Sequence, residues 1–371
     1  MRETRLSGLG GRGRGNSRLL PTSAVTLTRR QFFMHSTAAC ALAAVGGGCV
    51  SSPRHRRAAT DRVMTVAGWI AARDLGATLP HEHVLLDFIG ADEVSRDRYK
   101  PEAVFEAVLP HLQQLRDFGC RALIECTPAY LGRDAALLKR LATASELQIL
   151  TNTGLYGAAQ NKYLPAYART SSAEQLAERW LREWRDGIEG TGVRPGFIKI
   201  GVDEGPLSSL HRELVRAAAM THLDSGLTIA AHTGDGRAAL EELMLLKEEG
   251  VAGAALIWGH AQNESDHTLH WRAAEMGAWV EFDHVSPPDV ASHVELVQNM
   301  KDRGYLHRVL VSQDAGWYTV GEPDGGKFRP YDTLFTEFLP ALREAGFSET
   351  EIQILLVANP RDAFSIRVRP E

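Results

Sequence analysis

From Val63 onward the chain alternates short apolar runs with longer segments of helical period, and this alternation restricts its fold more than any other feature. The runs are Ala77–His83, Arg121–Thr127, Gln148–Gly154, Gly196–Val202, Leu227–Thr233, Ala254–His260, Trp279–His284 and Arg308–Asp314. The segments between and after them read as helices: Pro101–Phe118, Asp134–Ser145, Ala173–Glu189, Leu210–Ser225, Arg237–Glu249, Asp266–Met276, Pro288–Arg303 and Thr333–Glu344. Gly119, Gly226, Gly250, Gly277 and Gly304 close five of them. Ahead of the first run, VMTV and GWI form a short hairpin. Eight strand–helix units over about 300 residues predict an α/β fold, a (β/α)8 TIM barrel with a short N-terminal β-hairpin, spanning 62–371. The competing architecture is an open doubly wound sheet.

The placement of reactive side chains favours the barrel. Nearly every run ends in one: His81 and His83, Lys199, His232, His260, His284, Asp314. A barrel gathers its strand C-termini on one face, whereas an open sheet strings them along a line. In LPHEHVLLD, His81 and His83 stand at i and i+2, so on a strand they project the same way and can grip one cation. Lys199 lies in the middle of GFIKIG, and burying an ammonium is costly unless it is paired or chemically altered. His232 ends TIAAHTG, His260 ends LIWGH and Asp314 ends VLVSQD. Each alone reads as a core histidine or a helix cap; together, at strand ends, they read as a metal site.

Charge is unevenly placed. Residues 1–60 hold ten Arg, no Lys and one acid, a net +9, so the overall −5 leaves −14 for the remainder. An acidic body argues against a nucleic-acid surface. No run approaches the roughly 18 apolar residues of a transmembrane span. Residues 1–61 read as a disordered leader and a polar linker. Within them Arg29 and Arg30, two Phe and the apolar Ala38–Val45 resemble a twin-arginine export signal, which implies a periplasmic or secreted location. Cys49 is a candidate for lipid attachment, although glycines stand before it where a lipoprotein signal usually has an aliphatic residue. Cys120 and Cys126 flank an apolar run and read as small core residues.

The stretches LGATLPHEHVLLD, ECTPAYLGRD, TNTGLY, GFIKIGVDEGP, IAAHTGDG, IWGHAQNESD, VEFDHV, VSQD and LLVANPRDAFS resemble the phosphotriesterase family of the amidohydrolase superfamily, over about Val63 to Ser365. The resemblance implies a binuclear centre. His81, His83 and Asp314 would hold the more buried metal, and His232 and His260 the more exposed one. Lys199, carboxylated on its Nζ, would bridge the two. Zinc suits the donors, and manganese, iron or cobalt also fit. A metal-bridging hydroxide would attack a lactone, carboxylic ester or organophosphate triester, with Asp314 taking the proton and His284 passing it outward.

The family's next relay position falls at Asn263, which cannot accept a proton as a carboxylate can; Glu264 or Asp266 would have to substitute. Gln313 stands where the lactonase-like branch often has His. Tyr156 would hydrogen-bond a substrate oxygen, and Trp317, Tyr318 and Phe328, in the loop after Asp314, would either line a leaving-group pocket or pack as ordinary loop residues. Glu125 and Arg133 read as structural contacts. Amide or phosphodiester hydrolysis on the same centre, or a silent barrel that only binds its ligand, are the alternatives. Relatives that pair through their mouth loops imply a homodimer; the expected ligand is a small molecule, with no nucleic acid and no membrane span.

Overall fold

The computed structural model describes residues 61–371, and no helix among them is long and apolar enough to cross a membrane. The twin-arginine segment, Cys49 and most of the linker lie outside the described residues. The chain opens with an antiparallel hairpin, β1 (Arg62–Thr65) and β2 (Gly68–Ala71), in which Val63 pairs with Ile70. Two arcs of parallel strands follow. One runs β5 (Gln148–Leu150), β4 (Ala122–Glu125), β3 (Thr78–Leu86), β12 (Gly316–Thr319). The other runs β6 (Asn152–Thr153), β7 (Phe197–Val202), β8 (Ile229–Thr233), β9 (Leu256–Gly259), β10 (Trp279–Phe282), β11 (Val309–Val311).

The arcs join at both seams. On one side only Thr151 separates β5 from β6. On the other, the His81 N–H donates to Ser312 Oγ at 3.0 Å and the Asp314 N–H to the His81 carbonyl at 3.1 Å. The result is a TIM barrel. Pro80 cannot donate to a ladder, and the β3–β4 register shifts between Leu79 and Glu82, at the entry to the two histidines.

Helices α1 (Pro101–Asp117), α2 (Ala135–Ser145), α3 (Ala173–Asp186), α4 (Ser209–Ser225), α5 (Gly236–Glu248), α6 (His267–Glu275), α7 (Val290–Asp302) and α8 (Leu339–Glu344) alternate with the strands. Local chemistry sets their ends: Ser172 and Gln175 form a capping box at α3, and Asp235 caps α5 by accepting the Ala238 N–H. Short helices α9 (Glu349–Gln353) and α10 (Asn359–Phe364) complete the chain.

Two departures from the sequence reading have local causes. Thr333–Glu344 is not one regular α-helix, since Leu334–Phe338 is a π-helical turn; Ile354–Ala358 is another. Each turn lies two residues before a proline, Pro340 and Pro360, whose missing N–H interrupts the α ladder. Gly316–Thr319, expected as loop, pairs as β12 with β3, Gly316 opposite His83. Its three following residues stay half-buried, so the period-2 signal was faint.

Side-chain alternation divides the core. Ile198, Ile200 and Val202 of β7 face the helices, whereas Phe197 joins an inner cluster with Ile124, Leu150, Ala230, Ile257, Trp279 and Leu310. Phe364 of α10 plugs that end, its ring 5.6 Å from Phe197 and nearly perpendicular to it.

Candidate metal centre

Moving up the inner face by two residues replaces apolar side chains with polar and ionisable ones. Phe197 gives way to Lys199, Ala230 to His232 and Trp279 to Glu281, then Asp283. His81, His83, Lys199, His232, His260 and Asp314 line one cavity of about 170 Å³, closed around its rim by Leu86, Phe88, Pro128, Leu131, Tyr156 and Trp317. All six candidate ligands therefore meet. Gly154 helps to seat Lys199: its φ is +115°, and a Cβ there would lie 2.1 Å from the Lys199 carbonyl.

Asp314 Oδ1 is 2.9 Å from His83 Nε2 and 3.9 Å from His81 Nε2. Donor atoms of His81, His83 and Asp314 lie within 4.8 Å of one another, as do those of His81, His260 and Asp283. The His232 and His260 rings are 4.2 Å apart, those of His81 and His260 5.0 Å. Lys199 Nζ reaches His81 Nε2 at 3.2 Å, with no carboxylate within 4 Å among the described residues, although the side chain is buried.

Three imidazoles are anchored through Nδ1. His81 Nδ1 lies 2.9 Å from both Glu281 Oε2 and Asp283 Oδ2. His260 Nδ1 is 2.8 Å from Asp283 Oδ1, and His83 Nδ1 is 2.9 Å from Thr127 Oγ1. This fixes each ring and leaves Nε2 as the remaining donor, the arrangement that metal-binding histidines use. The donor set thus fits divalent cations: imidazoles and a carboxylate, backed by buried acids.

Electrostatics agree with that role for Asp314, His232 and His83; His81 departs from it, since burial lowers it but the charges of Cys126, Asp283 and Glu281 outweigh burial and hold it well above its ordinary value. Burial pushes the Asp314 carboxyl up, but the hydrogen bond from His83 and the charges of His83, His81 and His260 outweigh it and hold it well below the usual range. Burial, with His260 and Lys199 adding to it, pushes His232 well below its ordinary value, and burial brings His83 down to about 4. Neutral imidazole is the ligating form. Burial also raises Glu82 to about 7, against hydrogen bonds from the Ala315 N–H (2.7 Å), the Ser312 hydroxyl (2.8 Å) and the Gln313 N–H (3.0 Å). Those bonds hold the strand end that carries Asp314.

His284 does not join this cluster. It is exposed, and with Asn263 and Glu264 it lines a separate cavity of about 360 Å³. The imidazoles within 4 Å of Asp314 are those of His81 and His83. Glu264 is occupied by the backbone N–H groups of Gly236 and Asp266, and Asp266 caps α6. Trp317 lies edge-on to His83 at 5.8 Å, and Tyr156 edge-on to His232 at 5.0 Å. Phe328 instead stacks on His111 at 4.1 Å, and Tyr318 lies outside the cavity lining.

Cys126, expected as a core residue, is buried and also lines the cavity. Arg133 is buried and paired with Glu183, and Glu125 accepts the Val84 N–H. Asp283, Glu281, Glu82 and Thr127 escaped the sequence reading. The signal for the two acids was their even spacing from Trp279 on an apolar strand.

The phosphotriesterase family model matches residues 61–364. A phosphotriesterase homology protein of Escherichia coli is 31% identical over 294 residues, covering 78% of this chain and 98% of that protein. An aryldialkylphosphatase of Saccharolobus solfataricus is 25% identical over 80% of this chain and 97% of its own. The human N-acetyltaurine hydrolase is 24% identical over 81% and 97%. Among solved structures, a triple mutant of an organophosphorus hydrolase from Deinococcus radiodurans superposes with a TM-score of 0.74 at 27% identity, covering 81% of this chain and 97% of that one.

Proposed function

The chain belongs to the phosphotriesterase family, and we propose that it is a binuclear-metal hydrolase that opens a lactone or cleaves a carboxylic ester or organophosphate triester. The observation that carries the reading is the anchoring of His81, His83 and His260 through Nδ1 around a buried lysine that lacks an acid partner. His81, His83 and Asp314 would hold one metal, His232 and His260 the other. Lys199, carboxylated at Nζ, would become an anion able to span both, which removes the cost of a buried ammonium. Zinc fits the donors best. Bound there, the metals would supply Lewis acidity and lower the pKa of water.

The protein's own groups divide the remaining work. Asp314, kept ionised by His83, accepts the proton released during attack. Tyr156 offers a hydroxyl to a substrate oxygen, and burial raises its pKa, so it stays a donor. Trp317, Phe88 and Leu131 exclude water from the mouth. At about 170 Å³ the cavity admits a small reacting group and leaves a longer substituent at the rim. Amide hydrolysis is the second reading, favoured by the likeness to a relative named N-acetyltaurine hydrolase.

Elemental analysis of the purified chain and of Lys199→Ala tests the centre. Near two divalent metals per chain, dropping to one or fewer in the variant, is the expected result. A folded wild-type protein without metal would refute it. Turnover of a panel of lactones, esters, triesters and N-acyl amines then separates the two readings.

A further inference from the structure

A larger cavity, about 450 Å³, lies outside the barrel wall at the same end, between α3 and the loops that follow β3, β4 and β6. It shares those loops with the metal cavity but uses alternate residues. Leu86 lines the inner cavity and Asp87 the outer one; Leu131 lines the inner cavity while Tyr130 and Gly132 line the outer; Tyr156 lies on the inner side and Leu155 on the outer. The two spaces are therefore separate and share one thin wall.

The outer lining is locally cationic on an acidic body. Arg96, Arg133, Arg179 and Arg182 stand against Asp87, Glu183 and Glu189, four guanidiniums to three carboxylates. Each carboxylate already has a partner. Asp87 takes Arg98 Nε at 2.6 Å, Glu183 takes Arg133 at 2.7 Å, and Glu189 takes Arg96 at 2.6 Å. Arg179 and Arg182 have no carboxylate within 4 Å among the described residues. Arg179 rests instead on the Tyr167 ring, 4.2 Å from its centroid, which leaves the edges of its guanidinium free. Arg133 is 1% exposed in its side chain, and its Nε–H has no partner. Leaving such a donor unmade is costly without a ligand or water to accept it. Tyr130, Tyr167 and Trp180 supply flat apolar walls.

We propose that this cavity is a second small-molecule site that takes an aromatic carboxylate, with the ring between the aromatic walls and the carboxylate on the free arginines. Its volume falls in the range of ligand pockets, and guanidinium is the group best matched to a planar carboxylate. The site stands whether or not the metal centre hydrolyses anything.

Titration calorimetry of the full chain with 2-naphthoate, and with neutral 2-naphthamide, tests it. Saturable 1:1 binding of the carboxylate is expected, weakened at least about tenfold in Arg179→Ala/Arg182→Ala and for the amide. The control Arg237→Ala/Arg272→Ala removes the same charge from exposed positions elsewhere and should bind as the parent does. No saturable binding overturns the proposal, as does equal binding of the amide. Unchanged affinity in the Arg179/Arg182 variant would place the carboxylate elsewhere, for instance on the metals, and equally overturns it. Since the readout is affinity and not turnover, a silent metal centre would not mimic any of these failures.

Discussion

The two ends of the barrel interior are built by the same strands with the same side-chain parity, yet they obey different physics. The lower end is Phe197, Trp279, Leu310 and Ile257 capped by Phe364, where volume and apolar surface decide. The upper end, one residue pair higher, buries Lys199, His81, Glu281 and Asp283, where every charge needs a counterpart. A lower-end residue is defined by its own size. An upper-end residue is defined by its neighbours, so its role is harder to see from its own position in the chain.

The largest expected effect breaks the upper end. Asp314→Asn removes both a ligand charge and the proton acceptor, and should cut hydrolysis of whichever ester proves active by about 10²–10⁴-fold. The denaturation midpoint should fall as well, because the variant loses the pair with His83. Activity within a few-fold of the parent would mean that Asp314 does neither job.

Phe364→Ala attacks the lower end. Deleting a fully buried phenyl ring should cost about 3–5 kcal/mol in urea unfolding while metal content holds at the parent level. Metal lost in step with stability would show that the two ends are not separable.

A buried acid away from the ligands sharpens the contrast. Glu242 of α5 is fully buried; among the described residues its side chain accepts one hydrogen bond, from the Thr233 hydroxyl at 2.8 Å, and Oε1 has no partner. Burial raises its carboxyl from 4.5 to about 8. With the folded value above the unfolded one, its contribution is complete below pH 4.5 and disappears as pH climbs through 8. Glu242→Gln stays neutral throughout. The variant should therefore gain on the parent by roughly 2–3 kcal/mol between pH 6 and 8, read as a widening gap in thermal midpoint. A constant gap would mean that Glu242 is ionised in the fold.

The sequence revealed the barrel because strand and helix periods differ, and it pointed to one shared cavity because His81, His83, Lys199, His232, His260 and Asp314 interrupt apolar runs at their ends. What it concealed depends on pairing across the barrel. Glu82 sits between two histidines in HEH, and nothing local says that it braces the strand end carrying Asp314. Thr127 and Cys126 look like ordinary strand residues until the barrel closes. The π turns before Pro340 and Pro360 and the pairing of β12 with β3 likewise need the folded partner.

The smallest predicted effect is the most local. Along β10, Trp279, Glu281 and Asp283 point into the barrel, so His284 falls on the opposite parity and emerges at the outer rim. Asp283 holds His81 and His260 at once, and receives the His260 N–H at 2.8 Å. Asp283→Asn keeps the size but removes the charge that fixes both rings, and should weaken metal binding by about 10–100-fold in chelator competition. His284→Ala should leave metal affinity and turnover unchanged and shift stability by no more than about 0.5 kcal/mol, as exposed substitutions do. A large loss of turnover in His284→Ala with intact metal would restore it as the outward proton carrier. In that case the strand-end loop must rearrange when substrate binds, since the resting geometry gives His284 no contact with Asp314.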